Sequence, residues 1–148
     1  MGPLILPPSG TVYVDTQILI YTVERHPTFL PIIEPIWRAA RANSIAVVSS
    51  ELALMECLVL PLRSGNRALR TAYEQALLGT ELRLFPIGQT VLMEAARIRA
   101  TSSAVRTPDA IHGATAIVHG CSLLVTNDTG FRRITGTPVV VIQDLLSP

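Results

Sequence analysis

The sequence has no lysine: all twelve of its basic residues are arginine. Against eleven acids they leave a formal net charge of +1, so no overall field draws the chain to a polyanion and any nucleic-acid contact must be local. Arginine does make the better bidentate partner for phosphate, so the positive charge present is of a usable kind. Cysteine is scarce too. Cys57 and Cys121 lie far apart among apolar neighbours, with no Cys-x-x-Cys or Cys/His ligand spacing. This argues against a disulfide scaffold or a thiolate metal centre and reads both as reduced core residues.

The opening MGPLILPPSG has no basic n-region and no long apolar stretch, and its sixth residue is Leu6 where a myristoylation signal wants Ser or Thr. Secretion, a membrane span and a lipid anchor are therefore not expected, and a soluble cytoplasmic protein is. No internal repeat, low-complexity tract or dividing linker interrupts the chain. With 148 residues, 49% hydrophobic and 16% charged, it reads as one compact domain, residues 11–148, behind a tail or arm of residues 1–10.

Along that domain, short β-branched runs alternate with longer helical patterns. Strands are predicted at Thr11 to Val14, Ile45 to Val48, Leu82 to Phe85, Ser122 to Thr126 and Pro138 to Ile142. Between them, helices are predicted from Thr16 to Val23 and from Thr28 to Ala42. Ser49 or Ser50 can cap a helix running to about Leu60, where Pro61 marks the end. Further helices fit Asn66 to Leu78, Gln89 to Ala104, and Pro108 to His119. This alternation predicts an α/β fold, a parallel five-stranded sheet with helices on both faces. In such sheets ligands bind beyond the carboxyl ends of the strands, near a switch in strand order.

The residues just past those strand ends include much of the chain's acid. Of its four aspartates, Asp15 ends the first strand, Asp128 follows the fourth and Asp109 opens a helix; Asp144 lies apart. Each has a plain structural explanation as well. Asp15 can cap the helix starting at Thr16, Asp109 meets a helix dipole favourably, and Asp128 in TNDTG sits in turn company. Among the glutamates, Glu51 in SSELALMEC sits at a helix start, where an acid needs no special account. Glu56 lies over a turn further in, amid apolar neighbours, where an unpaired carboxylate would cost several kcal/mol. It is therefore expected to face a cavity with a partner.

Brought together, these four carboxylates repel one another by roughly 3 kcal/mol per pair at about 5 Å and an effective dielectric of about 20. A cation or raised pKa values must relieve that. An all-oxygen donor set points to a hard divalent ion, Mg²⁺ or Mn²⁺.

The segments VDTQILIY, SSELALMEC, TPDAIHGATA and LLVTNDTGF, in this order, resemble the PIN-domain nucleases, and most of all the VapC-type toxins of toxin–antitoxin pairs. The resemblance runs from about Thr11 to Ile142. It implies a five-stranded parallel α/β/α sandwich and endonucleolytic cleavage of RNA by metal-activated water, with one or two Mg²⁺ or Mn²⁺ ions. Asp15, Glu56, Asp109 and Asp128 would be the acidic ligands. Thr126 and Asn127 would orient Asp128 or the attacking water. An RNA substrate, a cognate antitoxin and a homodimer follow as partners. The apolar helices Thr28 to Ala42 and Asn66 to Leu78 are candidate partner surfaces, though such stripes commonly face the core.

Other residues stand outside the pattern. His112, one turn after Asp109, reads either as a surface or core-satisfied histidine or as a pH-dependent partner of Asp109. Arg106, Arg132 and Arg133 can bind phosphate or stand in ion pairs. Three other functions compete with the toxin reading: a PIN nuclease that processes RNA outside a toxin pair, a low-activity RNA-binding or regulatory module, and a Mg²⁺-dependent phosphohydrolase. The last wants a second Asp two residues after the first, where Gln17 stands, and a phosphate-binding lysine the chain does not have.

Overall fold

The computed structural model describes residues 2–146; Met1, Ser147 and Pro148, at the ends of the predicted leader and domain, lie outside the described residues. Five strands, β1 (Thr11–Val14), β2 (Ala46–Ser50), β3 (Leu82–Phe85), β4 (Leu123–Thr126) and β5 (Val139–Val141), form one sheet in the order β3-β2-β1-β4-β5. Every pairing is parallel, and β1 lies between β2 and β4. The chain builds outward from β1 to β3 on one side, then returns to place β4 on the other. The order therefore reverses between β1 and β4, where ligands of such sheets bind.

Alternation along the strands sorts the helices into two layers. Val12 and Val14 face a core shared with α1 (Thr16–Val23), α2 (Leu30–Arg41), α3 (Leu52–Ser64) and α4 (Arg67–Leu77). Tyr13 faces the opposite way, into a core with Val91, Ala95 and Ile98 of α5 (Gln89–Thr101) and Ala110, Ala114 and Ala116 of α6 (Thr107–Val118). The result is a three-layer α/β/α sandwich around a parallel five-stranded sheet. Leu4 of the leader is buried in the first core, and Leu6 packs against it. Both cysteines are free and buried, and burial pushes their thiols up, to about 12 for Cys57 and about 11 for Cys121.

Two expectations need correction. Pro61 does not end its helix: α3 continues to Ser64 and stops at Gly65, which takes a left-handed φ of 69°. A proline late in a helix forfeits one backbone bond, and here its ring is buried in the fold. The apolar stripes of α2 and α4, read as candidate partner surfaces, face the core instead. Ile33, Ile36, Trp37, Tyr73 and Leu77 are all spent in the core. Exposed apolar side chains among the described residues include Met55, Val59, Leu60 and Leu62 on α3, Leu78 at the end of α4, and Leu92 and Met93 on α5. None of the helices among the described residues is long and apolar enough to cross a membrane.

Leu124, fully buried on β4, should cost about 2–5 kcal/mol of stability when changed to Ala. Gly65→Ala, in open space but at a left-handed φ, should cost only about 1–2 kcal/mol. Urea unfolding of the two variants beside wild type checks the ranking, which a larger loss from Gly65→Ala would overturn.

Candidate active site

Asp15 follows β1 directly, and its position is set by the register of the sheet. Val14 pairs with Val125, which puts Asp15 beside Thr126, and the Asp15 amide donates to the Val125 carbonyl at 3.3 Å. The side chain is the N-cap of α1, accepting from the Ile18 amide at 3.2 Å, while the Thr126 hydroxyl donates to its other oxygen at 2.5 Å. Only 4% of Asp15 is exposed. Burial pushes its pKa up to about 6, and the bonds from Thr126 and Ile18 and the nearby His112 only partly oppose that.

Thr126 does a second job from the same hydroxyl, accepting the Asp128 amide at 3.0 Å. Asp128 in turn caps the short 3₁₀ turn Thr129–Arg133 by accepting from the Gly130 amide at 2.8 Å. Both aspartates thus hold the plain capping or turn role expected of them, and that role is what fixes each carboxylate at the cavity. Asn127 is placed differently from the expectation. Its amide donates to the Tyr21 hydroxyl at 3.0 Å and its carbonyl accepts the Gln143 amide at 2.9 Å, so it ties the loop to α1 and to the chain after β5. Both of those Asn127 bonds lead away from Asp128.

Glu56 comes from α3 in the opposite helical layer to α6. The Thr16 hydroxyl donates to its carboxylate at 2.6 Å, and His112 Nε2 lies 2.8 Å from the same oxygen. Burial alone would raise its pKa, but the bonds from His112 and Thr16 outweigh it and hold Glu56 below its usual value. His112 is itself buried, with Nδ1 at 2.6 Å from the Tyr13 hydroxyl. Desolvation keeps that phenol protonated, well above its ordinary pKa. In the neutral ring, Nδ1 therefore accepts from Tyr13 and Nε2–H donates to Glu56, an assignment made from the network. His112 is neither a surface residue nor the partner of Asp109. It is the middle link of a Tyr13–His112–Glu56 relay across the top of the sheet.

Asp109 lies in the first turn of α6, behind Pro108. Burial raises its pKa, opposed by the hydrogen bond and charge of Arg106. Asp15, Glu56, Asp109 and Asp128 all line one cavity of about 310 Å³, with Thr16, Gln17, Arg106 and His112 also on its walls. Glu51, which sits just before α3, lies outside it. So do Arg132, paired with Asp144 at 2.6 Å, and Arg133, which lines a separate cavity beside Arg97.

Thr16 and Tyr13 carry structural roles here that the sequence alone does not single out. The only signal was position, Thr16 following Asp15 and Tyr13 sitting two residues before it. As a metal site, the donor set suits a hard ion by its chemistry, and Arg106 is the only arginine on the walls against four carboxylates. Among the described residues, no three His, Cys, Asp or Glu side chains are grouped tightly enough to cage an ion.

The Asp15 shift has a consequence for stability, with a definite sign. Its folded pKa of about 6 exceeds the ordinary 3.8, so the folded state binds the extra proton between those values. In ion-free protein its contribution is greatest below about pH 4 and falls as the pH rises to about 6, by up to about 3 kcal/mol. Asp15→Asn should therefore melt no lower than wild type at pH 7.5 in EDTA, with the gap closing toward pH 4. A variant markedly less stable than wild type at pH 7.5 would contradict the strained carboxylate.

Comparison with known proteins agrees with this architecture. The model of the PIN domain family matches residues 12–136. Among solved structures, VapBC2 from Rickettsia felis, bound to a DNA fragment from its promoter, superposes with a TM-score of 0.67 at 18% identity, covering 88% of this chain and 97% of that one. A toxin–antitoxin complex from Klebsiella pneumoniae gives 0.62 at 23% identity, over 87% and 95% of the two chains. PAE2754 from Pyrobaculum aerophilum gives 0.59 at 16%, over 93% and 96%. No curated protein sequence matches significantly. With its fold shared by those structures and the family model spanning most of its length, the chain belongs to the PIN domain family.

Proposed function

We propose that this protein is a Mg²⁺- or Mn²⁺-dependent endoribonuclease and the toxin half of a toxin–antitoxin pair. The observation that carries the nuclease reading is the meeting of Asp15, Glu56, Asp109 and Asp128, from four separate segments, around one cavity. A carboxylate cluster of this kind is a poor receptor for an RNA backbone unless cations offset its charge. The toxin reading draws on the similar structures, several of which are complexes of a toxin with its antitoxin. It brings with it an RNA substrate, a cognate antitoxin, a homodimer and a cytoplasmic location.

The residues divide the work. Asp15, Glu56, Asp109 and Asp128 would hold the ion or ions, directly or through water. When bound, a divalent ion lends Lewis acidity toward water and stabilises charge developing on a phosphodiester. Thr126 holds Asp15 and, through the Asp128 amide, the loop bearing Asp128. Thr16 and His112 hold Glu56 ionised and pointed into the cavity. Ionised Asp15, the dominant form above about pH 6, is the form that binds a cation.

Purified wild type should cleave a panel of structured RNAs with Mg²⁺ or Mn²⁺ and stop in excess EDTA. Asp15→Asn and Asp109→Asn should each lose more than the roughly 10–100-fold that removal of a mere supporting partner costs. Glu56→Gln should fall with them while Glu51→Gln keeps wild-type rates, since only Glu56 faces the cavity. Cleavage by Asp15→Asn at the wild-type rate, with contaminant controls matched, would end the assignment.

A further inference from the structure

Arg106 is the N-cap residue of α6, with φ −73° and ψ 156°, yet its side chain caps nothing. It extends over the cavity instead. Its Nε lies 3.2 Å from Asp109 Oδ2 and its Nη2 3.3 Å from Asp128 Oδ2. One guanidinium thus bridges a carboxylate on α6 to another on the loop after β4. Its charge also acts on Glu56.

The bridge is built to be broken. Both contacts are long for charge-assisted bonds, each is single rather than bidentate, and 72% of the side chain is exposed. By contrast, the backbone under Arg106 is fixed. Its carbonyl accepts the Ala110 amide at 2.9 Å as α6 begins, and the Pro108 ring follows in the first turn. Any movement is therefore a swing of the side chain about a held Cα.

We infer that Arg106 is a resident counter-ion that a divalent ion displaces from Asp109 and Asp128, and that the freed guanidinium then binds a phosphate of the RNA strand. A divalent ion and a guanidinium repel each other strongly at contact range, and both need the same two carboxylates. Once those are taken, Arg106 is left at the mouth of the cavity with its fork of donors free. An incoming phosphodiester is the anion whose geometry that fork matches. Ion and RNA are thereby coupled: the ion makes the arginine available to RNA, and RNA removes the ion's competitor. By linkage, each tightens the other's binding by the same factor.

This inference rests on the metal-dependent reading of the site, and the test separates the two. Mn²⁺ binding is measured calorimetrically without RNA for wild type, Arg106→Gln and Arg106→Lys. Binding of a fluorescein-labelled RNA oligonucleotide is followed by anisotropy, with and without Ca²⁺. Arg106→Gln should bind Mn²⁺ roughly five- to tenfold more tightly than wild type, because the competitor is gone. It should bind RNA roughly five- to tenfold more weakly in Ca²⁺, with little of the enhancement Ca²⁺ gives wild type. Arg106→Lys should keep much of the competition for Mn²⁺ and recover only part of the RNA affinity. Unchanged or weaker Mn²⁺ binding by Arg106→Gln overturns the counter-ion role, and tighter Mn²⁺ binding with RNA affinity untouched overturns the handover. Failure of wild type and variant alike to bind Mn²⁺ would remove the metal reading itself.

Discussion

A carboxylate buried at the end of the central strand is the constraint on which this site depends. Asp15 is withdrawn from water, and the chain itself answers it with hydrogen bonds donated by the Ile18 amide and the Thr126 hydroxyl. Those donors sit on α1 and β4, and they reach Asp15 only because β1 and β4 run parallel in a register that sets Asp15 against Thr126. The Thr126 hydroxyl then passes the constraint on by accepting the Asp128 amide. One β-branched residue at a strand end therefore ties two acids of the site to a single rigid ladder. Even so, the bonds do not match what burial costs, which is why Asp15 holds its proton to about pH 6.

The second tie crosses the sheet. Tyr13 points into the core under α5 and α6, whereas α3, which carries Glu56, packs on the opposite layer. His112 closes that gap, with one ring nitrogen on Tyr13 and the other on Glu56. Beyond the carboxyl ends of the strands the two layers meet, and there His112 and Thr16 converge on one Glu56 oxygen. Glu56 is thus held ionised while Asp15 and Asp109 are pushed toward their neutral forms. Acids in one cavity with pKa values driven apart are what a site poised for proton and cation chemistry shows.

Much of this was legible in the sequence because strand ends are local. The runs TVYV and LLVT, each followed at once by polar residues and acid, mark both a strand and its carboxyl edge, and Glu56 stood out by its apolar company. What the sequence concealed depends on tertiary partners. Pro61 reads as a stop because its missing amide is a local fact, while the burial of its ring is not. Ile33, Ile36 and Trp37 look alike whether they face a partner or the chain's own core, and only packing decides it. His112 meets Glu56 across 56 residues and Tyr13 across 99, separations to which no helical or strand period points. Arg106, Arg132 and Arg133 share a chemistry and differ only in what the fold sets beside each.

That difference bears on how a chain with almost no net charge can address a polyanion. The arginines are dispersed, and Arg41, Arg70, Arg97 and Arg132 are answered by acids at the surface, so little long-range steering is left. At the cavity the local balance is negative, with four carboxylates against Arg106. A phosphodiester approaching the ion-free protein meets repulsion from the acids and an arginine already engaged by two of them. On the inference that a divalent ion displaces Arg106 from Asp109 and Asp128, both obstacles would be removed by the same event. Under that reading, affinity for the strand would be a property of the loaded site alone, because the chain offers no bulk attraction for a polyanion.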